Sequence, residues 1–131
     1  MDTRDKQIKS ILPKIQSDNT SASLNETFQN VTLRPILKFQ NEIILQYFEQ
    51  FIIENKIEFV LLKHHLKVAQ INNLFKTNIQ FKQFYLGIIV ALFSINEFQF
   101  YTQNKKEMNK RIISMLIERL CSQIESINSD L

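Results

Sequence analysis

Apolar residues recur along this chain at the three- and four-residue spacing of amphipathic helices. Near the start, Ile8, Ile11, Leu12 and Ile15 share one face. Further on, Ile36, Leu37, Ile43, Ile44, Tyr47, Phe48, Phe51 and Ile52 form one broad stripe, with Lys38, Glu42, Gln46 and Glu49 opposite. Met108, Ile112, Met115, Leu116, Leu120, Ile124 and Ile127 repeat the pattern near the end. Residues 85–93 are apolar on every side, which predicts a central helix covered by the others. The spacing predicts helices over 2–12, 24–30, 33–55, 56–76, 78–93, 95–101 and 105–127.

Local signals set the boundaries. Pro13 ends the first helix, because the residue before a proline is pushed out of the α region. The polar run QSDNTSAS (16–23) then reads as a linker, leaving 1–15 as a loosely docked N-terminal helix on a single domain spanning 1–131. Helix starts are marked by the capping-box pairs Ser23/Glu26, Thr77/Gln80 and Ser94/Glu97, with Asn55/Glu58 and Asn104/Glu107 as weaker versions. Pro35 fits the first turn of a helix, where its missing N–H costs little. Gly87, inside the most apolar helix, predicts a close crossing where another backbone approaches.

Composition narrows the class. One Gly and two Pro in 131 residues exclude a sheet built on tight turns, so the expected fold is all-α: a compact orthogonal bundle of five to seven helices around a central apolar helix. The apolar fraction of 44% rules out intrinsic disorder. A single Cys allows no intrachain disulfide and fits a reducing compartment. Residues 1–10 carry no apolar core of a secretory signal, and the run 84–93 is half the length of a membrane span, so the expected location is the cytoplasm. A net charge of +3, with Glu107 interrupting the basic pairs around it, argues against nucleic acid.

Candidate chemistry is sparse. His64 and His65 are adjacent, so they point about 100° apart on a helix and share a metal ion poorly. His64 reads as a hydrogen-bonded residue at the core edge, and no metal or cofactor is expected. Cys121 has no histidine near it in sequence, and catalysis is not expected of it. The segment after Thr77-Asn78 is too greasy to serve as a DNA recognition helix.

Polar residues inside apolar stripes are the more informative feature. Gln40 and Asn41 interrupt one stripe with Arg34 two turns back, while Asn109, Arg119 and Gln123 interrupt the stripe of the last helix. Buried amides must find partners, so these groups form either a network that fixes helix register or a ligand pocket lined by Arg34, Gln40, Asn41, Asn109 and Arg119. Phe39, Ile53, Phe59 and Phe100 fall outside the main stripes and mark a candidate interface.

The runs ETFQNVTLRPILKFQNEIILQYF (26–48), KTNIQFKQFYLGIIVALFSINEF (76–98) and NKRIISMLIERL (109–120) resemble a family of small, uncharacterised, all-helical bacterial proteins. Some members carry the label "glyoxalase". Glyoxalase-type domains are built from βαβββ units with metal ligands on strands, whereas this chain has a helical period throughout, so the resemblance supplies no site residues. The function expected from the residues is a non-enzymatic helical interaction or regulatory module, with a protein partner or a second copy of itself in a homodimer. The alternative is a small-molecule-binding protein or enzyme with a polar pocket inside the bundle.

Overall fold

A computed structural model of the chain describes residues 2–15 and 23–127, and it is an all-α bundle with no strand among them. The elements are α1 (Asp2–Ile11), α2 (Leu24–Phe28), a π-turn (Gln29–Leu33), α3 (Arg34–Phe39), α4 (Asn41–Glu54), α5 (His64–Thr77), α6 (Ile79–Val90), α7 (Ile95–Gln103), α8 (Lys105–Ser122) and a 3₁₀ turn (Ile124–Ser126). The sequence-expected linker at 16–23 lies outside the described residues except for Ser23, which caps α2 by accepting from the Glu26 N–H.

Hydrophobic burial organises the bundle around α6, which packs against α5 and α8 and touches α4 through its rings. Phe81 is fully buried at the centre of an aromatic cluster, its ring 4.8 Å from those of both Phe51 and Phe75. Each such ring withdrawn from water is worth roughly 1.5–3 kcal/mol. Tyr85, one turn on, is also buried and donates its hydroxyl to the Ile44 carbonyl at 2.7 Å, so its polar tip is satisfied inside the core. The stripe of α8 continues into the same core through Met108, Ile112, Leu116 and Leu120, and the 3₁₀ turn adds Ile124.

Several expected boundaries fall elsewhere, for local reasons. The helix expected from residue 33 begins at Arg34 as α3, with Pro35 in its first turn as expected, and stops at Phe39 before α4; α2 and the π-turn lead into it without a break. The chain does not continue as helix after residue 55. The N–H of Lys56 bonds the Ile53 carbonyl and that of Ile57 bonds Ile52, the paired closure of a Schellman motif, with Lys56 at a left-handed φ of 51°. Residues 56–63 are consequently loop, which leaves Leu61 exposed and Phe59 buried against Phe48. Phe100 is likewise no free surface residue, since it stacks on Phe28 at 4.8 Å.

Among the capping pairs, Ser94/Glu97 closes a complete capping box. Asn78, not Thr77, caps α6, and no helix begins at Asn55. Asn104 precedes α8 without a side-chain cap bond, its amide donating back to the Phe100 carbonyl. Gly87 faces no crossing: a Cβ built there meets nothing within 4 Å. The N-terminal helix is fastened by polar contacts. Arg4 donates to the Ala91 and Phe93 carbonyls at 2.7 and 2.8 Å, and Asp5 accepts from the Ile95 N–H at 3.2 Å. No helix among the described residues is long and apolar enough to cross a membrane.

Candidate functional site

Pro35 sets the geometry of the site. Its ring cannot donate the bond that an α-helix would send to Val31, and it would press on that carbonyl. The turn before it is widened instead, with the Arg34 N–H bonding Gln29, five residues back. Residues five apart lie nearly above one another in such a turn, whereas an α-helix would splay them. Gln29 and Arg34 therefore face the same way. Opposite them, α8 presents Met115, Glu118, Arg119 and Ser122 at spacings of three, four and seven, with Gln123 just beyond.

Between these two walls lies a groove of about 460 Å³, open to solvent and mostly polar, with Leu37 and Met115 as its apolar contacts. The side chains behind it are fixed. Asn41 and Gln123 exchange two amide hydrogen bonds of 2.8 Å each, and Gln123 also donates to the Arg119 carbonyl at 3.0 Å. The Arg119 guanidinium lines the groove and donates Nη1–H to Asn41 Oδ1 at 3.2 Å, its other N–H groups meeting no acceptor among the described residues. At the far wall, Gln29 Oε1 accepts from Arg111 at 2.9 Å, and Arg111 is tied in turn to Glu107.

The electrostatics are unbalanced. Burial, and then the positive charge of Arg34 nearby, lower the Arg119 pKa. Among the described residues no carboxylate is paired with Arg34 or Arg119. Glu118 lines the same groove without pairing with either arginine. A pair of guanidinium groups with unused donors is suited to bind an oxyanion.

The structure brings together three of the five sequence-derived site residues, Arg34, Asn41 and Arg119, and joins Gln123 to them. Gln40 and Asn109 lie elsewhere. Gln40 donates to the Ile88 carbonyl at 2.8 Å, satisfying the C-terminal end of α6, and Asn109 accepts from the Tyr101 hydroxyl. Gln29, Glu118 and Ser122 were missed, since none of them interrupts an apolar stripe.

The other candidates supply no competing chemistry. His64 and His65 are both exposed in the first turn of α5, so His64 is not a core-edge residue. Burial raises the Cys121 thiol pKa, the opposite of an activated thiolate. No group of three or more His, Cys, Asp or Glu among the described residues is placed to hold a metal ion. No family model, curated protein or solved structure matches the chain.

Proposed function

We propose that this chain is a non-enzymatic helical interaction module that takes an acidic segment of a protein partner in the groove between the π-turn and α8. The observation that carries the reading is that Arg34 and Arg119 face one groove with no carboxylate paired to either among the described residues. Small-molecule pockets have largely apolar walls. This groove has polar walls, the form in which arginine clusters read acidic motifs. The same proposal places the module in the cytoplasm, where a single cysteine stays a thiol, and among the small helical bacterial proteins its sequence resembles.

Titration of the full chain with a hexaglutamate peptide tests this. The expected result is saturable binding that weakens about tenfold in Arg119→Gln and falls as salt rises from about 50 to about 200 mM. Equal affinity in wild type and the Arg34→Gln/Arg119→Gln double variant overturns the reading.

Self-association is a second reading, favoured by one surface feature. Phe39 and Ile43 are 45% and 44% exposed on one side of α3 and α4, beside Phe84, which is 36% exposed and stacked on Tyr47 at 3.8 Å. Gln40 bonded to Ile88 holds the two helices side by side there. Sedimentation would show a dimer that Phe39→Ser dissociates; a monomer at high micromolar concentration rejects it.

A further inference from the structure

The opposite side of the π-turn borders a second cavity. The turn that sends Gln29 and Arg34 toward α8 sends Val31 the other way, together with Pro35 from the start of α3. Ile8 and Leu12 of the α1 segment and Ile15 beyond it line the facing wall. At the end of the cleft lined by Asp5 and Ser94, α1 is fastened through Arg4 and Asp5 to the junction of α6 and α7. An apolar cleft of about 510 Å³ remains, within the usual ~300–1,000 Å³ of ligand sites, and Val31 stands 54% exposed in it.

The charge around this cleft is net positive, three lysines against Glu97, with Asp5 paired to Arg4. Lys6, Lys9 and Lys14 line it, and all three are exposed. The two carboxylates that also line it are already engaged. Asp5 accepts from Arg4 and from the Ile95 N–H. Glu97 accepts from the Ser94 N–H with one oxygen and from the Thr32 hydroxyl with the other, each at 2.8 Å. An apolar floor with a rim of net positive charge, its lysines unpaired among the described residues, is complementary to a molecule that is a hydrocarbon chain at one end and an anion at the other.

We infer that this cleft binds a single-chain anionic amphiphile of the fatty-acid class, its chain along Ile8, Leu12, Val31 and Pro35 and its carboxylate among Lys6, Lys9 and Lys14. The site is separate from the arginine groove and stands or falls independently of it.

Calorimetric titration of the full chain with hexanoate, octanoate, decanoate and dodecanoate, each below its micelle threshold, tests the assignment. Dodecanol and hexaglutamate serve as comparison probes. Affinity should rise by up to about fourfold per added methylene. Lys6→Gln/Lys9→Gln/Lys14→Gln should weaken dodecanoate by about tenfold while leaving dodecanol binding unchanged. Val31→Asp should abolish binding with no change in melting temperature; Ile8→Asp reports the same from the facing wall should the first variant prove unstable. Affinity independent of chain length, dodecanol binding as tightly as dodecanoate, displacement by hexaglutamate, or equal loss of dodecanoate in Arg119→Gln would each overturn it.

Discussion

Asn41, the first residue of α4, and Gln123, the residue after α8, hold each other through two opposed amide hydrogen bonds of 2.8 Å. Arg119 fixes which way the pair is oriented, since its Nη1–H requires an oxygen, not an NH₂, at that edge of Asn41. Replacing either amide alone with Leu leaves the other half-satisfied and should cost about 1–3 kcal/mol. The Asn41→Leu/Gln123→Leu variant should be less unstable than the sum of the singles, with a coupling of about 1 kcal/mol or more. Urea unfolding of the four proteins measures this, and additive losses would show that the pair contributes nothing as a pair.

Gly87→Ala should stabilise the protein. The glycine sits in mid-helix with a negative φ, and an added methyl group meets nothing within 4 Å. Alanine then restricts the unfolded chain without a steric cost, which is worth about 0.5–1 kcal/mol. A lower melting temperature in the variant would show that something does approach this surface.

Lys56 occupies the left-handed position of a Schellman motif that glycine ordinarily fills. Its side chain is exposed, so Lys56→Gly removes no packing. The left-handed conformation costs a residue with a Cβ roughly 1–2 kcal/mol, of which about 0.5–1 kcal/mol should be recovered after glycine's larger entropy loss. Thermal melts of the two proteins decide it.

Alkaline pH should unfold the protein through Tyr85. Burial raises the pKa of its hydroxyl above the ordinary tyrosine value. Below pH ~10 both folded and unfolded chains keep the proton and stability is full. Above that the unfolded chain releases it while the folded chain retains it, so stability falls by up to ~1.4 kcal/mol per pH unit. Tyr85→Phe should start less stable by about 1 kcal/mol, for the lost bond to Ile44, but decline more slowly with pH. Parallel slopes between pH ~9 and ~11 would exclude Tyr85 as a source.

The helical period was legible because burial imposes it: Ile44, Phe48, Ile52, Ile112, Leu116 and Leu120 all lie in the core that their spacing implied. Boundaries were less legible where two signals competed. The apolar spacing of Ile57, Leu61 and Val68 reads as helix, but the backbone bonds at Lys56 and Ile57 close α4 before that spacing can be used. Pro35 correctly marked the first turn of α3, but it gave no sign of the widened turn that joins that helix to α2. Placing polar residues in apolar stripes located Asn41, Arg119 and Gln123 correctly together. It could not separate them from Gln40, because a one-residue step along a helix changes the facing direction by about 100° and sends the neighbouring amide to Ile88.

The π-turn also carries a consequence for what the rod can tolerate. An uninterrupted α-helix advances by about 100° per residue, and a π-turn holds one residue in surplus over that count. Phe28 on one side of the surplus meets Phe93 and Phe100, while Leu37 and Asn41 on the other side meet the core and α8. The two halves keep these partners only while they stay out of phase by that one residue. The number of residues between Gln29 and Leu33 is therefore fixed, just as the buried Thr32 and Leu33 side chains are. Deleting any one of them would press Pro35 against the carbonyl four residues back and swing either the Phe28 end or the Arg34 end by more than a quarter turn, so the chain tolerates no change in the length of this segment.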